Sequence, residues 1–113
     1  MLNFRIEFTG KWPSVNDLRN KHWTKLHKLK KEWEYKLVYM IRDAGAKPTD
    51  KFGIEIKFNS KLDADNISLK FFCDTMRAMK LIKDDNKKYF RYLTVHADES
   101  LPKNTYIIDV ISL

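Results

Sequence analysis

The chain contains few of the residues from which small domains build covalent or metal cross-links. Its single cysteine, Cys73, excludes an internal disulfide and a cysteine zinc cluster, and it fits a reducing compartment. No apolar run approaches the length of a membrane span, and the N-terminal segment lacks the apolar centre of a signal peptide. There is also no glycine-rich phosphate loop and no triad-like grouping of serine and histidine. We therefore expect a soluble cytoplasmic protein.

Acidic residues are also few, and they are unevenly distributed along the chain. The 113 residues, enough for one domain with a modest core, carry 22 Lys and Arg against 15 Asp and Glu, a net charge of +7. Between Lys11 and Lys31 there are seven cations and one acidic residue, Asp17. Such an excess favours phosphate backbones, although a membrane surface or an acidic partner is also compatible with it.

Aromatic rings lie among these cations, at Trp12, His22, Trp23 and His27. One interpretation is a surface that follows a DNA backbone, where each neutralised phosphate releases counterions. The other is an ordinary solvated helix face. On the first interpretation we predict that the backbone is held by Lys21, Lys25, Lys28, Lys31, Lys87, Lys88 and Arg91.

Hydrophobic periodicity predicts an α+β fold. Alternation of apolar and polar residues predicts strands, and apolar steps of three and four predict helices. The predicted strands are residues 2–8, 52–58, 89–96 and 105–113, and the predicted helices are residues 22–44 and 65–79. Residues 14–20 are polar and predicted to be a loop, while Asp65 or Asn66 is the expected cap of the second helix. The order β-α-β-α-β-β predicts a single domain, residues 1–113, in which two helices pack on a mixed sheet.

The acidic residues that the chain does have occur in two pairs on either side of the second predicted helix. These are Asp63 with Asp65 and Asp84 with Asp85. Two such charges about 4 Å apart repel by roughly 4 kcal/mol at an effective dielectric of 20, so clustering favours a bound cation. Magnesium accepts one or two carboxylates and completes its shell with water and phosphate oxygens. The alternative is that the first pair are turn and cap residues and the second pair a surface turn.

The spacing of these residues resembles the RusA family of Holliday-junction resolvases, small endonucleases common in phages and prophages. The family pattern is D-x-D-N, a lysine, an aspartate four residues later and a D-D pair ten residues after that. Here the matching positions are 63–66, Lys70, Asp74 and Asp84-Asp85. Residues 13–16, Pro-Ser-Val-Asn, also resemble the family's P-S-x-N loop after the first strand. One departure is that three residues, not two, separate the D-N from the lysine.

The resemblance implies a homodimer that uses Mg²⁺, with Mn²⁺ as a possible substitute, to nick four-way DNA junctions. It implies catalytic roles for Asp63, Asp65 and Asp85 as metal ligands, with Asp84 as a supporting carboxylate. Lys70 would take the place of the catalytic lysine, unless the extra residue turns it elsewhere.

We therefore predict a metal-dependent endodeoxyribonuclease that resolves Holliday junctions in DNA recombination and repair. Two alternatives remain open. One is a non-catalytic, basic DNA-binding protein whose acidic loop is structural, and the other is a related nuclease that acts on other branched DNA.

Overall fold

Four strands form one mixed sheet, and the helices pack on one of its faces. The computed structural model describes residues 1–113. Its elements are β1 (Leu2–Thr9), α1 (Val15–Arg19), α2 (Trp23–Asp43), β2 (Phe52–Asn59), a 3₁₀ turn (Ala64–Asn66), α3 (Lys70–Ala78), β3 (Phe90–Ala97) and β4 (Thr105–Ser112). The predicted α+β class and mixed sheet are confirmed. No helix has both the length and the apolar character that crossing a membrane requires.

The strands lie in the order β1-β4-β2-β3. β4 pairs antiparallel with both β1 and β2, whereas β3 pairs parallel with β2. A parallel pair needs a crossover connection, and the segment that contains α3 provides it. The last two strands, although consecutive in the chain, are therefore not neighbours in the sheet.

The core lies between the sheet and the helices. On β2, alternate residues from Phe52 to Phe58 are at most 3% exposed, and α2 contributes a stripe of Trp33, Leu37 and Ile41. On the opposite face of β2, the ring of Tyr92 lies against Gly53 so closely that a Cβ there would come within 2.2 Å of it. Glycine is required at this position because of that close approach.

Two boundaries differ from the prediction. Residues 14–20, predicted to be a loop, contain the short helix α1, whose N-cap Ser14 accepts a hydrogen bond at Oγ from the Asp17 N–H over 3.0 Å. The second long helix begins at Lys70 rather than at Asp65 or Asn66, so the predicted cap is wrong. The intervening residues are held by the segment before α1 and are not available to start a helix.

Candidate functional site

The segment before and within α1 docks on the segment between the D-x-D-N motif and α3. Ser14 forms an isolated antiparallel bridge with Ile67, and the Ser68 N–H donates to the Pro13 carbonyl over 3.0 Å. The Asn16 N–H donates to the side-chain oxygen of Asn66 over 3.0 Å. The two motifs noticed separately in the sequence are therefore one structural unit, called the motif clamp below (residues 12–16 with 66–68).

Trp12 anchors the motif clamp in the core. Its side chain is 2% exposed and contacts the rings of Phe8, Trp33 and Tyr106 at centroid distances between 5.3 and 5.8 Å. Its indole N–H donates to the Ser68 carbonyl over 2.7 Å. The sequence had suggested Trp12 as part of an aromatic and basic surface. That suggestion is wrong for this residue, because the indole is inside the protein.

The motif clamp presents Asp63 and Asp65 to solvent at the edge of a small cavity. Asp63 is extended and precedes the 3₁₀ turn, which contains Asp65, and both residues are exposed. Neither carboxylate belongs to an ion pair of the molecule. They line a polar cavity of about 300 Å³ together with Asn16 and Arg19. Two free carboxylates and a cation therefore share one opening.

Lys70 lies beside a neighbouring cavity of about 400 Å³ that contains neither Asp63 nor Asp65. Its backbone N–H donates to Ser68 Oγ over 3.2 Å at the start of α3. Arg19 lines both cavities and takes no part in any ion pair. Arg19 is one of the seven cations between residues 11 and 31, and no pattern in the sequence predicted a role for it. The only sequence feature that could have indicated a role for Arg19 is its position three residues after the P-S-x-N segment.

The second acidic pair is held by Arg77, in the last turn of α3. Arg77 lies 3.3 Å from Asp84 Oδ1 and 3.9 Å from Asp85 Oδ1. The Asp85 backbone N–H donates to Asp84 Oδ1 over 2.7 Å, and Asn86 donates to Asp84 Oδ2 over 3.1 Å. The bond from the Asp85 N–H, helped by the charge of Arg77, lowers the pKa of Asp84. Asp84 is thus satisfied by protein donors, whereas the Asp85 side chain lies close to the Asp84 carboxylate and makes only the longer contact to Arg77 among the cations.

Asp85 is close enough to α3 for its charge to act on Cys73. Burial raises the pKa of the Cys73 thiol to about 12, and the negative charge of Asp85 contributes to the rise. The thiol therefore stays protonated, which argues against a role as a nucleophile. On the same helix, Asp74 bonds Arg77 over 3.2 Å and pairs with Lys30 of α2 over 3.5 Å. Asp74, Arg77 and Lys30 thus form an ion-pair network that links the two helices.

The predicted backbone-binding cations are exposed and lack acidic partners. Lys21, Lys25, Lys28 and Lys31, at and beyond the start of α2, form no ion pair, nor do Lys87, Lys88 and Arg91 near the start of β3. A cation without a carboxylate partner remains available for a phosphate, so this arrangement is compatible with the predicted interface.

The carboxylates fit a magnesium ion only in part. No group of three or more His, Cys, Asp or Glu side chains is arranged to hold a metal. Asp63 and Asp65 fit the two-carboxylate shell that Mg²⁺ accepts in proteins, because they share a cavity and are free of ion pairs. Asp84 fits poorly, since its oxygens already accept hydrogen bonds. The largest cavity, about 580 Å³, lies near Arg77, Lys80 and Lys83 and contains none of the predicted catalytic carboxylates.

Comparison of the chain with protein-family models finds no match, and comparisons with curated proteins and with solved structures find none at the level that would support an argument.

Proposed function

We propose that the chain is a metal-dependent endodeoxyribonuclease that cuts branched DNA, with the four-way Holliday junction as its substrate. The observation that carries this proposal is the motif clamp, which brings Asp63, Asp65 and Arg19 to one polar cavity. Two unpaired carboxylates that share one cavity favour a bound cation, because it relieves their mutual repulsion. The resemblance to the RusA family supports the same chemistry from the residue pattern.

In this proposal Asp63 and Asp65 hold magnesium, with Mn²⁺ as a substitute, and Asp85 is a third, more distant carboxylate. The chemistry that such an ion supplies is a lowered pKa of water and stabilisation of charge on the phosphate. Arg19 and Lys70 would stabilise the negative charge that develops on the phosphate during hydrolysis. Arg19 is the better placed of the two, because it lies in the cavity of the carboxylates.

The partner surface in this proposal is the row of unpaired cations on α2. Lys25, Lys28 and Lys31 would hold the DNA backbone without reading its sequence. A homodimer would present two equivalent sites to the two symmetry-related strands of a four-way junction. Lys87, Lys88 and Arg91 would contribute further phosphate contacts.

Cleavage of a labelled synthetic four-way junction tests the proposal. With magnesium, the wild type should nick the junction, and Asp65→Asn should lower the rate about a hundredfold or more, since a lost metal ligand removes several kcal/mol of stabilisation. Asp43→Asn is the matched control, because Asp43 is equally exposed but lies at the far end of α2. Equal cleavage rates for the wild type and Asp65→Asn would contradict the assignment of Asp65 to the active site.

One observation favours a second candidate, a DNA-binding protein without catalytic activity. Asp84 is saturated by Arg77, Asp85 and Asn86, so the second acidic pair has a structural explanation. Tight binding of the junction in magnesium without any nicking would support this candidate. Comparison with flap and three-way substrates would distinguish a junction resolvase from a nuclease of other branched DNA.

A further inference from the structure

Trp23 is the one tryptophan that the fold leaves in solvent. Its side chain is 71% exposed, whereas Trp12 is 2% and Trp33 is 6% exposed. Burial of so large a ring is a main source of core stability, and Trp23 contributes almost none of it. Its only ring neighbour is His22, at a centroid distance of 5.9 Å. The core therefore gives no reason for a tryptophan at this position.

The position of Trp23 relative to α3 follows from one ion pair and one shared cavity. Trp23 and Lys30 are seven residues apart, nearly two turns, so they lie on the same side of α2. Lys30 pairs with Asp74 of α3, and Leu26, one turn earlier, shares a cavity with Lys70 at the start of α3. From Leu26 to Lys30 the chain advances four residues along α2, and from Lys70 to Asp74 it advances four residues along α3. The two helices therefore run in the same direction. Trp23 consequently lies at the end of α2 that is near Lys70 and Arg19.

We propose that Trp23 is a stacking platform for an unpaired nucleobase of branched or single-stranded DNA, at the start of α2. Lys21 and Lys25, two residues before and after it in the chain, are exposed and have no acidic partners, so the end of α2 that carries the ring suits a polyanion. An exposed aromatic ring in a cationic region binds bases through their faces, which are hidden in an intact duplex but accessible at a branch point. The proposal rests on the DNA binding of the proposed function but not on its cleavage.

Tryptophan fluorescence reports on this contact selectively, because the other two indoles are buried. In a buffer with chelator, which prevents cleavage, a short oligothymidylate and a four-way junction should each quench the emission of the wild type. Trp23→Ala should bind the oligothymidylate roughly five- to 140-fold more weakly, the loss of one stacked base. Trp23→Phe should keep most of the affinity while its remaining emission no longer responds to DNA.

Tyr35→Ala is the matched control. Tyr35 is 68% exposed on the same helix, about 18 Å further along its axis, and packs against Tyr39. Its substitution should leave binding unchanged.

The proposal is overturned if Trp23→Ala binds oligothymidylate as tightly as the wild type, or if it weakens binding of an unbranched duplex equally. It is also overturned if Trp23 emission changes with protein concentration without DNA, since a second copy would then cover the ring. If DNA quenches the emission of Trp23 but the protein does not cleave the junction, the proposed nuclease activity is refuted and the stacking platform is retained.

Discussion

Replacing Trp12 by phenylalanine tests whether the motif clamp is held by the hydrogen bond between the Trp12 indole and the Ser68 carbonyl. Phenylalanine keeps an aromatic ring among Phe8, Trp33 and Tyr106 but removes the 2.7 Å bond. Ser68 is 7% exposed, so water has little access to its carbonyl once the indole is gone. An unpaired buried acceptor costs about 1–3 kcal/mol, in addition to the packing lost with the smaller ring.

Trp33→Phe separates the hydrogen bond from the packing. Trp33 is similarly buried, at 6% exposed, and contacts Phe8 and Trp12, but its indole N–H makes no hydrogen bond to the protein. The packing loss should be similar in the two variants. Trp12→Phe should therefore be the less stable of the two by about 1–3 kcal/mol. For a chain of this length, that difference lowers the melting temperature by roughly 4 °C per kcal/mol.

The assay is urea denaturation of both variants, with the slope of the free energy against urea checked for equality. Junction cleavage at a temperature where both are folded gives the functional part: Trp12→Phe should lose more activity, because the turn of Asp63 and Asp65 is attached through Ser68. If the two variants have the same stability, the bond makes no net contribution. The motif clamp must then be held by its backbone contacts alone.

Two further predictions concern Arg19 and Cys73. Arg19→Ala should lower the rate of junction cleavage about 10²-fold, and Lys70→Ala should lower it less, because only Arg19 shares the carboxylate cavity. A larger loss for Lys70→Ala than for Arg19→Ala would make Lys70 the principal cation of the site. The Cys73 thiol, whose pKa is raised to about 12 in the folded protein, should react with iodoacetamide only on unfolding. Its proton is released from the unfolded chain above about pH 8.5, so stability should fall between that pH and 12, and Cys73→Val should remove this part of the decline.

The state of the second acidic pair distinguishes the enzymatic proposal from the binding one. The loop between α3 and β3 holds Asp84 and Asp85 against Arg77, in the last turn of α3. Arg77 then neutralises part of the charge that a metal would otherwise neutralise. Asp85, which lies close to the Asp84 carboxylate and 3.9 Å from Arg77, has fewer protein donors than Asp84 and is the member of the pair more available as a ligand.

The sequence by itself determined the features that depend on residues close together in the chain. Alternation along residues 52–58 predicted β2, and steps of three and four predicted α2, because burial of one face imposes these periods. Net charge and the separation of cations from carboxylates are also properties of the sequence alone. The α+β class followed from the order of these elements.

Only the tertiary structure decided the features that depend on distant partners. The Pro13 carbonyl and Ser14 engage residues 67 and 68, which delays the start of α3 to Lys70. The same docking brings Arg19 to the acidic turn and places Trp12 in the core, while Trp23, eleven residues later, remains in solvent. Local periodicity does not contain this information, because each outcome is a competition for hydrogen bonds and apolar surface between segments about fifty residues apart.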